Sequence, residues 1–223
     1  MKVDSQGKWI IFAVSVSAVL VVGWIYRRSI KRGLSYFVSK LKNTALSELE
    51  FWKQGNLTEN DPSVMERLRM YWNEGAGVKN WGDQQMKDEA WSAAFISYIM
   101  KKSGAGEDWK YSPSHSTYIT QAIKNRKENV SNPFKGYKPE EVKIEVGDLV
   151  GKPREGGVTY DSVGAYKSHT DVVVTIKDGY AESIGGNVAN SVVITKVPLT
   201  PDGKIDNSKV SGGKYFVVIK NKK

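Results

Sequence analysis

The hydrophobic period changes once along the chain, near residue 130, and this change narrows the fold more than any other feature. Before it, apolar residues recur at helical spacing. Residues 33–54 place Leu34, Phe37, Leu41, Leu46, Leu49 and Phe51 largely on one stripe, which predicts an amphipathic helix ended by Gly55-Asn56. Asn60-Asp61-Pro62 supplies a cap followed by proline, so a second helix is expected from Pro62 to about Asn73, with the glycine-bearing EGAGVKNWG stretch as a loop after it. A third helix should begin near Asp88 or Glu89 and run through WSAAFISYIMKK to Ser103-Gly104. A fourth should start at Ser112-Pro113, carry His115, Tyr118, Ile119 and Ile123, and fade near Lys127.

After the change come short β-branched and aromatic runs: GDLVGKP (147–153), HTDVVVTI (169–176), GYAESI (179–184), SVVITKV (191–197) and KYFVVIK (214–220). Asp178-Gly179 is a hairpin signal between the second and third. Helices first and an antiparallel meander afterwards predict an α+β domain, with helices packed on one face of the sheet. The glycine-bearing stretch from Glu155 to Ser168 precedes the HTDVVV strand, where a loop can shape a site.

Upstream of all this, residues 9–26 (WIIFAVSVSAVLVVGWIY) hold no charge and as a helix would reach about 27 Å, enough for a short membrane span. Trp9, Trp24 and Tyr26 stand where aromatic rings favour the headgroup layers. No small-residue cleavage site precedes Arg27-Arg28, which argues for an uncleaved anchor. The predicted organisation is therefore a flank at 1–8, a transmembrane helix at 9–26, a basic flank and amphipathic helix at 27–57, and one domain at 58–223. Arg27, Arg28, Lys31 and Arg32 behind the span would hold the domain on the cytoplasmic side.

The formal net charge of +9 suits an anionic partner, a lipid surface or an acidic polymer included. No stacked-aromatic RNA motif or recognition-helix signature accompanies it, so nucleic acid is disfavoured. With no cysteine there is no disulfide and no thiol nucleophile. Two histidines 54 positions apart give no paired metal spacing, so neither metal nor cofactor is expected.

The order WSAAFISYIMKKSG, GDLV, SHTDVVV and a strand leading into GGN resembles the NlpC/CHAP superfamily of papain-like amidases, over roughly residues 60–220. More closely it is similar to an uncharacterised bacterial branch with Trp-Ser-Ala-Ala-Phe where active relatives have Trp-Cys-Ala-Ala-Phe. The resemblance implies a papain-like core with the nucleophile on a helix, a base histidine at the start of a facing strand and an orienting polar residue on the next strand. It places the nucleophile on Ser92, the base on His169 and the third group on Glu182 or Asn187. It also implies an amide-bond hydrolase of peptidoglycan or its peptides, anchored in a bacterial inner membrane. That function needs a periplasmic domain, against the flanking charges. The alternative is an inactive member that binds a wall peptide, or a structural component with protein partners in an envelope or phage-derived assembly.

A serine gains little from the helix field that favours a thiolate, so its chemistry depends on a positioned base. Strand alternation puts His169, Asp171 and Val173 on one face and Thr170, Val172 and Val174 on the other, making Asp171 a further candidate for holding His169. Trp91 and His115 are the candidate substrate-side residues, with core packing the alternative for Trp91 and a structural helix start the alternative for His115. Ser92 itself suits a helix start through capping, and Gly185-Gly186-Asn187 has the composition of a tight turn.

Overall fold

The computed structural model describes residues 35–223. The span expected at 9–26 lies outside the described residues, and among those described no helix is long and apolar enough to cross a membrane.

The first helix, α1, runs Tyr36–Phe51; the Ser35 hydroxyl accepts the Val38 N–H at 3.1 Å and caps it. Its buried residues are Phe37, Val38, Leu41, Ala45, Glu48 and Leu49; of the stripe expected from spacing, Phe37, Leu41 and Leu49 are buried, Leu46 and Phe51 are only partly so, and Leu34 lies outside the described residues. A turn at Pro62–Val64 leads into α2, Met65–Met70, which widens into a π-type turn at Tyr71–Ala76 and stops at Gly77 in the left-handed region, φ 79°. Part of the stretch expected as a loop is therefore helical. Gly75 explains the tight fit there, because a Cβ would stand 2.5 Å from the Ala94 carbonyl oxygen. A short helix that the sequence pattern did not indicate, α3, occupies Asp83–Asp88, and the extended Glu89 after it makes the next helix, α4, begin at Ser92 rather than near Asp88 or Glu89 as expected; it ends at Ser103. Every residue from Ser92 to Met100 is buried, as befits a helix enclosed on all sides. Helix α5 spans His115–Lys127.

The sheet has six strands: β1 Phe134–Tyr137, β2 Leu149–Pro153, β3 Ser168–Lys177, β4 Tyr180–Val188, β5 Ser191–Pro198 and β6 Val217–Asn221. Their order is β1-β6-β2-β3-β4-β5 and every pairing is antiparallel. The expected meander is β2 to β5. The chain then returns so that β6 pairs with β2, and β1, too short to show in the hydrophobic pattern, closes the other edge. Asp178 and Gly179, with φ of 53° and 78°, make the tight β3–β4 turn.

Side-chain alternation splits the core in two. Val172, Val174, Ile184 and Val192 face the helices, whereas Val150, Val173, Ala181, Val197 and Val218 face a second cluster covered by Ile144, Leu199, Ile205, Val210 and Tyr215. Asp148 ties the start of β2 to β6. It accepts Lys220 Nζ at 2.6 Å and the Glu145 N–H at 2.7 Å; burial raises its carboxyl to about 6, with Lys220 opposing that rise.

One local expectation needs correcting. Gly185-Gly186-Asn187 is not a turn but the interior of β4. The turn falls at Ala189-Asn190, both with positive φ, and a bulge sits at Asn187. The glycines are there because both faces of the strand are occupied at close range. A Cβ on Gly186 would stand 2.5 Å from Phe95 Cγ, and one on Gly185 would stand 1.8 Å from Asp171 Oδ1.

Candidate functional site

Two elements bring the serine to its partner. Helix α4 starts at Ser92, so the first N–H groups of the helix lack an intrahelical acceptor; the first bond inside it is Phe95 N–H to the Trp91 carbonyl, 2.9 Å. The segment leading into α5 is pinned to α4 by a reciprocal pair: the Ser97 hydroxyl donates to the Ser112 carbonyl at 2.9 Å and accepts the Ser112 N–H at 3.0 Å. This sets the first residue of α5, His115, against the first residue of α4. Ser92 Oγ and His115 Nε2 are 2.6 Å apart. The sequence expectation paired Ser92 with His169; in the structure its hydrogen-bond partner is His115.

The other nitrogen of His115 meets two hydroxyls. Nδ1 lies 3.0 Å from Thr170 Oγ1 and in hydrogen-bond contact with Tyr118 OH, and the two hydroxyls are 2.9 Å apart. Burial, reinforced by nearby His169 and Arg154, holds the His115 imidazole well below its ordinary pKa and therefore neutral. Burial likewise pushes the Tyr118 phenol well above its usual range, so it keeps its proton. A neutral ring carries one proton. With that proton on Nδ1, donated to Thr170 or Tyr118, Nε2 accepts the Ser92 O–H and can act as a base. With it on Nε2, the ring donates to Ser92 and the serine is not primed. The hydroxyl pair can turn to serve either tautomer. Among the described residues no carboxylate hydrogen-bonds to His115.

The second histidine lies on the opposite face of β3. Thr170 points to the helices, so His169 and Asp171 point away, and His169 Nε2 is 2.7 Å from Asp171 Oδ1. Ser183 Oγ approaches the other carboxylate oxygen at 3.5 Å. Gly185 makes the pairing feasible, since the Asp171 carboxylate occupies the space a Cβ would fill. The two imidazoles are 5.3 Å apart between centroids, at 55°. Ser92, His115, His169 and Asp171 are 7, 6, 8 and 5% exposed, so all four are buried.

On the His169 side, Lys152, Arg154, His169, Asp171, Thr195 and Tyr215 line a cleft of about 240 Å³, to which Ser92 and His115 do not contribute. Lys152 faces His169 in the β2–β3 register, and its ammonium lies 4.5 Å from the centroid of the Tyr215 ring. Burial lowers the Lys152 pKa, and Asp171 works against that.

The remaining sequence candidates lie elsewhere. Glu182 points to the helix side of β4 and pairs with Lys177 at 3.1 Å, away from the His169–Asp171 pair. Asn187 occupies the bulge with φ 55° and makes no hydrogen bond to either histidine. Trp91 is fully buried: it stacks on Trp52 at 5.0 Å, and its N–H donates to Glu59 at 2.7 Å. It supports the start of α4 from below and offers no face to a ligand. Sequence reasoning missed Thr170, Tyr118 and Gly185. Thr170 was legible from alternation alone, as the β3 residue beside His169 that must face the helices. Among the described residues no group of His, Cys, Asp and Glu is arranged to hold a metal ion.

A family model described as "Uncharacterized protein conserved in bacteria (DUF2272)" matches residues 51–219, a stretch that contains Ser92, His115, His169 and Asp171. No curated protein and no solved structure matches the chain.

Proposed function

The chain belongs to the bacterial family DUF2272, and on that premise we propose that it is an amide-bond hydrolase with Ser92 as nucleophile and His115 as base. The observation that carries this reading is the 2.6 Å contact between Ser92 Oγ and His115 Nε2 at a helix start. A nucleophile within hydrogen-bond reach of a neutral base, itself oriented through its second nitrogen, is the arrangement acyl transfer needs. The orienting group here is a pair of hydroxyls rather than an acid. As Ser92 attacks the scissile carbonyl, His115 takes its proton, and the free N–H groups at the start of α4 are placed to donate to the oxyanion. His169, held by Asp171, stands on the cleft side as a second acid–base group for the leaving amine.

Motif order supports a papain-like amidase acting on peptidoglycan or its peptides. In this reading residues 9–26 anchor the protein in the bacterial inner membrane with the domain on the wall side. Protease accessibility of the C-terminal tail in spheroplasts tests that placement; a protected tail removes peptidoglycan as substrate.

The reading is tested by digesting purified peptidoglycan and a muropeptide panel with the detergent-solubilised full chain. Parent activity that is lost in Ser92→Ala and in His115→Ala is expected, and variants as active as the parent would sink the assignment. A second reading, a non-catalytic binding or structural component of an envelope assembly, draws on the burial of Ser92, which is 7% exposed. A Ser92→Cys variant separates the two. Activity present only in that variant indicates a disarmed site.

A further inference from the structure

The cleft beside His169 carries more positive charge than its own carboxylate can balance. Lys152 and Arg154 both line it, and Lys214 is close enough to act on Lys152. The one acidic side chain in the lining, Asp171, is already engaged by His169 at 2.7 Å. Neither Lys152 nor Arg154 has a carboxylate within ion-pairing distance among the described residues. The neighbouring acid does not serve them either, since Glu155 accepts the Lys167 N–H at 2.9 Å.

A half-buried ammonium without a counter-ion is costly, as the downward push on Lys152 records. Tyr215 offsets part of that cost through its ring face, which also fixes the ammonium over the cleft instead of letting it swing into solvent. Arg154 adds a planar fork able to bind a carboxylate through two parallel hydrogen bonds. The space is smaller than pockets that enclose a drug-sized ligand, and its remaining walls, Val150, Val188 and Thr195, suit a short aliphatic side chain.

We propose that this cleft is a carboxylate subsite, in which Lys152 and Arg154 hold the free carboxylate of a peptide chain end next to His169. The assignment rests on the peptide-hydrolase reading for the identity of its ligand, but on the cleft alone for the chemistry it recognises. It makes the substrate a peptide with a free carboxylate near the scissile bond, and it gives the +9 chain a local reason for a cationic site, separate from its general surface charge.

The test is calorimetric titration of the full-length Ser92→Ala protein with N-acetylalanine and with N-acetylalaninamide, which differ only in the carboxylate. The acid is expected to bind at least about ten-fold tighter than the amide, and Arg154→Gln and Lys152→Met are each expected to cut the acid's affinity by about ten-fold or more. Arg154 is exposed, so its variant tests the idea even if the Lys152 change disturbs folding. Equal binding of acid and amide overturns the proposal, as does unchanged affinity in Arg154→Gln. Inorganic sulfate competing as well as the acid overturns the carboxylate assignment too. Because binding is read without turnover, the two readings fail separately. A protein that binds the acid but cleaves nothing keeps the subsite and loses the hydrolase. One that cleaves peptides and their amidated forms alike keeps the hydrolase and loses the subsite.

Discussion

The chain's two histidines stand 5.3 Å apart on opposite faces of β3 and are supported in opposite ways. His115 lies on the helix face with hydroxyls for partners: Ser92 on one nitrogen, Thr170 and Tyr118 on the other. His169 lies on the far face with a carboxylate for a partner and two cations nearby. The dry face keeps its imidazole neutral, which a base needs before it acts. The far face gives its imidazole a carboxylate to hold it in one orientation beside the cleft. One strand thus touches both rings by alternating its side chains, with Thr170 against His115 and Asp171 against His169.

The comparison is broken most severely at the serine. Ser92→Ala should lower hydrolysis by about 10³-fold or more, and His115→Ala by a similar factor, with the double variant no worse than either single one. An additive double variant, measured by muropeptide release, would mean that the two residues do not act as a unit.

Removing His169, or replacing Asp171 by Asn, should cost about 10²-fold, because Ser92 keeps its base. Labelling of Ser92 by a fluorophosphonate probe should survive in both of these variants and vanish in His115→Ala. The reverse pattern would return the role of base to His169.

A smaller effect is expected from Gly185→Ala, whose Cβ would overlap Asp171 Oδ1. We expect about 1–3 kcal/mol of destabilisation in denaturant melts. The ring resonances of His169 should shift while those of His115 stay in place. Movement of both rings together would show that the faces are not independent.

The smallest expected effect is on pH dependence. The His115 pKa is depressed in the folded chain, so below the ordinary imidazole pKa of about 6.5 the unfolded chain binds the extra proton first. The stability contributed by this residue is therefore present above that value and lost as pH falls through the folded pKa. His115→Gln should flatten this acid-side loss in thermal melts. The acid limb of hydrolysis should likewise lie below the ordinary imidazole range; a limb at or above it would mean that the base is not this buried ring.

Much of the site's composition was legible from residue order. The helix that carries Ser92 follows from its apolar run, although not its start at Ser92 itself, and the shared face of His169 and Asp171 follows from the two-residue repeat of a strand. The same repeat separates Thr170 from His169, and Glu182 from its neighbour Ser183. The partner of Ser92 was not legible, because His115 belongs to another helix 23 positions away, and its approach depends on how Ser97 and Ser112 dock the two helices. The role of Gly185 and Gly186 was also hidden. Paired glycines read as a turn when nothing shows that Asp171, Phe95 and Trp91 crowd both faces of the strand.

The sequence by itself determined the α+β division, the strand that carries both faces of the site and the absence of thiol chemistry, because periodicity and composition are local properties. Tertiary structure alone decided which histidine meets the serine, which carboxylate meets the other histidine, and that two cations share a cleft with one engaged acid. Those outcomes depend on distances between elements far apart in the chain, and such distances arise only when the helices close on the sheet.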